Sequence, residues 1–158
     1  MSIITTETAR VYNDLVVINK AAVKGYQEAA EAVDNPDLKA ELLRYSEQRT
    51  RFAEELEAQA IEFGVAPPSE ESTVEGAVTD AVAAVHRGWI SLTSALLDRT
   101  DKAILSDCEN GDAAALLSYD LALQSEDLAA GALELLRRQQ GEIQLIKNKF
   151  AARRSQPG

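Results

Sequence analysis

Histidine, cysteine and tryptophan each occur once in 158 residues, and aromatic residues make up only 5% of the chain. The one cysteine, Cys108, cannot close an internal disulfide, and it suits a reducing cytoplasm. Prolines number four, too few for a Pro-rich linker or a disordered tract. Apolar runs fall well short of the roughly 20 residues that span a bilayer, so no membrane partner is expected. The start, "MSIITTETAR", carries neither a basic leader nor an apolar signal region, so export is not expected. An excess of basic charge is also missing. The formal net charge is −10, and a phosphate backbone attracts basic faces, so no nucleic-acid partner is expected.

What is present is helix-forming. Apolar residues are 46% and charged residues 27%, a globular composition that one domain over 1–158 accommodates with a real core. Alanine, leucine and glutamate dominate. The first helix is predicted over about 5–33, capped by Thr5 or Thr6, with the stripe Tyr12, Leu15, Asn19, Ala22, Tyr26, Ala29 and Val33. Asn35 caps a second helix over 36–63, and Pro36 suits its first position. Its stripe is Leu38, Leu42, Tyr45, Arg49, Phe52, Leu56, Gln59 and Phe63, and Gly64 suits its C′ position. Ser72 and Glu75 have the spacing of a capping box for a third helix over about 73–97, which carries His86 and Trp89. Thr100 caps a fourth helix over 101–123, whose stripe is Ile104, Cys108, Asp112, Ala115, Tyr119 and Ala122; Gly111 marks its middle for a kink or break. The last helix is predicted over 126–153, through Ala132, Leu136, Gln139, Ile143, Ile146 and Phe150. No strand pattern occurs. The fold class is all-α, an antiparallel helical bundle.

The stretch "RYSEQRTRFAEEL" (44–56) places Arg49 on a core stripe beside Tyr45, Phe52 and Leu56. A fixed cation there has two readings. Either it is buried and paired, or its stem runs along the apolar surface while its head reaches the bundle edge.

Catalytic chemistry finds little material. His86 and Cys108 are the only members for a Cys–His pair, and a lone Cys on an apolar stripe is ordinarily a small core residue. His86, next to the main stripe, reads first as a boundary residue holding a hydrogen bond. Gly-rich phosphate loops and nucleophile elbows are absent from the sequence. Zinc takes several Cys or His ligands, which this chain lacks. A carboxylate-bridged di-iron site needs two Glu-x-x-His pairs, and one histidine cannot supply them. A non-standard carboxylate site for iron, manganese or zinc would draw on Glu47, Glu54, His86, Glu109 or Asp112.

"VYNDLVVINKAAVKGYQEAA" (11–30) is similar to the first helix of bacterioferritins, with Tyr26 at their tyrosine and Asn19 at their metal-binding Glu. "RTRFAEEL" (49–56) resembles their second helix, with Arg49 at the Glu position and Phe52 at the His position. In "GEIQLIK" (141–147), Glu142 matches the last Glu and Leu145 replaces the His. Through "NDLVVINK", "GYQEAAE", "HRGWISL" and "DKAILSDCENGDAAALLSY", nearly the whole chain resembles a bacterial family of ferritin-like four-helix-bundle proteins without an established activity. The resemblance implies a ferritin-like four-helix bundle with one additional helix and substituted metal positions. It implies a cytoplasmic, stress-related setting. Helix 73–97 then belongs either to the four-helix core or to the crossover.

The resulting expectation is a non-catalytic bundle acting through self-association, first of all as a dimer, or through a protein partner. An apolar face around Trp89 and Ile90 is the expected contact. Its interior would hold a polar network of Asn19, Tyr26, Tyr45, Arg49, Asp112, Tyr119 and Glu142, with Asp112 and Glu142 answering the arginine. No cofactor is expected. The competing readings are a metal protein built on the carboxylates above, and a small-ligand binder with a cavity between Asn19, Arg49 and Tyr119.

Overall fold

A computed structural model describes residues 6–64, 89, 100–125, 128 and 130–155. Among them are four helices and no strand: α1 (Thr6–Ala32), α2 (Pro36–Glu62), α3 (Asp101–Leu123) and α4 (Ala130–Ser155). Thr5 and nearly all of the predicted helix 73–97, His86 included, lie outside the described residues; Trp89 alone is described from it.

Local chemistry sets the ends. The Asn35 side chain accepts from the backbone N–H of Asp37 at 2.8 Å and of Leu38 at 3.1 Å, and Pro36 follows it with no donor to leave unsatisfied. Gly64 adopts φ +87°, the left-handed conformation that a helix C′ residue needs. The Thr100 hydroxyl caps α3 by accepting from Ala103 N. Two boundaries differ from the sequence reading. α3 runs unbroken through Gly111. α4 begins at Ala130, not near 126, and Leu128 lies outside the helix.

Cross-helix pairs give the arrangement. Tyr12 meets Gln59, the Ser46 hydroxyl donates to Val23 O, and the Lys39 ammonium to Ala30 O, so α1 and α2 run in opposite senses. Tyr119 meets Gln139 and Glu109 meets Lys147, so α3 and α4 do the same. Asn19 meets Tyr119, and the N–H groups of Asp34 and Asn35 donate to Asp101. Glu55 meets Arg138, and Glu41 meets Arg153. Each helix therefore runs opposite to both of its neighbours, in the cyclic order α1, α2, α4, α3. Gly64 and Thr100 consequently lie at opposite ends of the bundle. Between those ends stretches the length of a 27-residue helix, about 40 Å.

The stripes read from the sequence form the core. Tyr12, Leu15, Tyr26, Leu42, Leu56, Ile104, Leu136, Ile143 and Phe150 are each no more than 1% exposed. Each large aliphatic or aromatic side chain so buried contributes about 1.5–3 kcal/mol relative to exposure. Trp89 joins this core at 4% exposure. It therefore does not belong to an outer docking face: its ring is 5.1 Å from that of Tyr26 and lies against Gly25 of α1 and Gly111 of α3. A Cβ on Gly25 would fall 2.1 Å from Trp89 Cε3, and one on Gly111 2.6 Å from Trp89 Cε2. The two glycines form the slot that the indole fills.

Candidate functional site

The charge on the α2 stripe is buried. Arg49 is 0% exposed, so the snorkelling alternative is excluded. Its Nη1 donates to Asp112 Oδ1 at 3.0 Å, and Asp112 is also 0% exposed. Tyr26 donates its hydroxyl to the other oxygen, Oδ2, and the Arg49 guanidinium carbon sits 5.5 Å from the Tyr26 ring centroid. Both carboxylate oxygens thus accept, one from α2 and one from α1. Arg49 Nε donates to Gln48 Oε1 at 3.2 Å, while Nη2 finds no hydrogen-bond partner among the described residues.

A second polar layer lies two turns away along α1 and α3. Asn19 Nδ2 donates to Leu15 O at 2.8 Å and to Tyr119 Oη at 2.9 Å. The Tyr119 hydroxyl donates to Gln139 Oε1 at 2.6 Å. Gln139 Nε2 donates to Phe52 O at 3.2 Å and to Glu55 Oε1 at 3.3 Å. All four helices contribute to this layer. Sliding any one of them by a turn would strand buried donors and acceptors, at about 1–3 kcal/mol for each group. The two layers therefore hold the register of the bundle, which apolar stripes alone leave soft.

Burial governs the protonation states. Burial works against the Arg49 cation, but Asp112 and then Tyr26 outweigh it and hold its pKa above the ordinary value. Burial pushes the Asp112 carboxyl up, and Arg49 pulls it back only in part. The Tyr26 and Tyr119 phenols are pushed up, by burial first, so both stay protonated as donors at neutral pH. Burial also pushes the Cys108 thiol well up, the inert behaviour of a small core residue rather than a nucleophile.

Asn19, Tyr26, Arg49, Asp112 and Tyr119 therefore lie in these two layers. Tyr45 and Glu142 do not. Tyr45 packs edge-on against Tyr26 but donates its hydroxyl to Glu41, on its own helix. Glu142, named as a second answer to the arginine, turns instead to Arg138, with 3.6 Å between its Oε2 and Nη1. Its side chain is 43% exposed, and Arg138, one turn earlier on α4, reaches it without desolvation. Gln139 and Glu55 were not singled out as network members. The signal for Gln139 was a polar residue on an apolar stripe, the same one that marks Arg49.

The candidate metal ligands do not converge. Glu47 and Glu54 are exposed, Glu109 pairs with Lys147 at 3.7 Å, Asp112 is held by Arg49, and His86 lies outside the described residues. Among the described residues no three of His, Cys, Asp and Glu gather in a way that would hold a metal ion. An open cleft of about 410 Å³ lies between α2 and α4, lined by Gln48, Arg51, Phe52, Glu54, Glu55, Ala58, Arg138 and Glu142. It is not the cavity between Asn19, Arg49 and Tyr119 that a small-ligand reading requires. No described helix is long and apolar enough to cross a membrane.

A family model described as "Domain of unknown function (DUF2383)" matches residues 7–125, from the start of α1 to just past the end of α3. No curated protein matches the chain.

Proposed function

The chain belongs to that DUF2383 family, and from this premise we propose that it is a non-catalytic, ferritin-like bundle acting through association, its centre closed by an ion pair. Two hairpins whose joining ends, Gly64 and Thr100, lie at opposite ends of the bundle support the ferritin-like topology, which has one long crossover. The segment carrying Trp89 then belongs to the crossover as the additional helix, and the chain is one domain. A cytoplasmic setting and a role under stress go with this reading and rest on the resemblance alone.

The observation that carries the proposal is Arg49 at 0% exposure, 3.0 Å from Asp112. Where ferritins place a carboxylate-bridged pair of iron ions, this chain has Asn19, Arg49 and Phe52 at three of the matched positions; Leu145, matched to a histidine, is 63% exposed and stands away from the interior. Those residues do not fit the metals. An amide, a guanidinium and a phenyl group supply no anionic ligand, and the guanidinium repels a second cation in a medium that screens charge poorly. Among the described residues the carboxylate within reach, Asp112, is already committed on both oxygens.

Native mass spectrometry of protein purified without chelator tests the reading. The expected spectrum is an assembly of copies without stoichiometric metal. One iron, manganese or zinc per chain, lost in Asp112→Ala, would favour the metal reading.

A further inference from the structure

We propose that two copies of this chain pair through the outer face of α3 and α4, with Leu117 of each copy seated over Gly141 of the other. The inference rests on the associative reading above and assigns its surface.

Three observations converge on this face. The first is a pair of uncharged stretches. Asn110, Leu117 and Leu121 follow one another at helical spacing along the outside of α3, and Gly141, Gln144 and Asn148 do so along α4. All six are exposed, in a chain whose net charge of −10 makes most of its surface repel a second copy. Leu117 and Leu121 are 55% and 52% exposed, large apolar side chains lying side by side.

The second is shape. A Cβ on Gly141 would meet nothing within 4 Å, so the space over this glycine is open to a partner's side chain. Counting from the Tyr119–Gln139 and Asp120–Gln140 hydrogen bonds, Leu117 on α3 lies at about the level of Gly141 on α4. The leucine and the open glycine stand side by side on one copy.

The third is charge at the flanks. Asp120 on α3 and Arg137 on α4 are both exposed, and by the same count they stand within about a turn of one level. A two-fold axis parallel to the helices keeps every level fixed and exchanges the two columns. It lays α3 of one copy over α4 of the other, in opposite senses. Leu117 then meets Gly141, and Asp120 comes near Arg137 of the other copy. A single rotation satisfies shape and charge together, as a two-fold interface between identical patches requires.

Sedimentation and mixed cross-linking test the interface on the full chain. The wild type is expected to be a dimer at micromolar concentration. Leu117→Asp is expected to weaken it at least tenfold, while Leu43→Asp, an equivalent change on exposed α2 surface, leaves it intact. Equal helical circular dichroism and urea midpoints show that both variants fold. Leu117→Cys and Gly141→Cys chains are expected to form an oxidised heterodimer when mixed. A dimeric wild type that Leu117→Asp leaves intact, with no heterodimer in the mixture, overturns this face and leaves association standing elsewhere. A monomeric wild type overturns both this face and the self-association reading.

Discussion

Removing Asp112 perturbs the centre of the bundle most directly. In Asp112→Ala the Arg49 guanidinium keeps its charge, because arginine does not give up its proton in a protein. It stays enclosed, at 0% exposure, and loses the carboxylate that stood 3.0 Å away. Breaking a buried pair from this side costs about 3–5 kcal/mol. For a chain of this length that lowers the melting temperature by on the order of 10 °C. The opposite deletion behaves differently. Arg49→Met leaves a carboxyl that can take up a proton, and burial already pushes its pKa upward. Loss of the guanidinium pushes it further, so the folded state holds that proton more tightly than the unfolded chain does. The contribution is then most favourable at low pH and is lost as pH rises from the ordinary carboxylate range through the raised folded value. Arg49→Met should therefore be nearly tolerated at about pH 5 and progressively destabilised toward about pH 8. The double change Arg49→Met/Asp112→Leu removes both charges and should recover most of the loss, since apolar replacement of a buried pair is often neutral or better. Urea unfolding of the four proteins across that pH range measures all of this. An Asp112→Ala cost under about 1 kcal/mol, or an Arg49→Met deficit that ignores pH, would refute the buried-pair account.

Other substitutions test the packing and the second polar layer. Gly111→Ala should destabilise even though alanine gains about 1 kcal/mol in helix propensity, because overpacking against Trp89 costs about 1–3 kcal/mol. The single tryptophan reports the displacement through its fluorescence. Tyr119→Phe removes a donor to Gln139 and an acceptor for Asn19 and should cost about 1–3 kcal/mol in thermal or urea unfolding. Asn35→Ala should cost about 1 kcal/mol by the same measurement, since two N–H groups of α2 lose their cap.

Most of the fold was legible because period and punctuation agree. Asn35–Pro36, Gly64 and Thr100 sit where the sequence puts them, and the 3–4 stripes are the buried faces. Arg49 and Asp112 were legible for the same reason, as polar residues on apolar stripes whose burial demands a partner. Glu142 was misjudged because its position on α4 is near the core stripe but its nearest cation, Arg138, shares its own helix. Trp89 was misjudged because its place depends on two glycines distant in sequence. Gly111 reads locally as a weak point, and only the indole packed between it and Gly25 shows it as a slot.

The central claim is that a closed ion pair stands where a ferritin-like bundle would bind metal. Native mass spectrometry of chelator-free protein addresses it in one spectrum. The account predicts a two-copy species whose mass is that of the polypeptides alone, unchanged after growth in iron, manganese or zinc. A species carrying one such ion per chain, which Asp112→Ala abolishes, would contradict it.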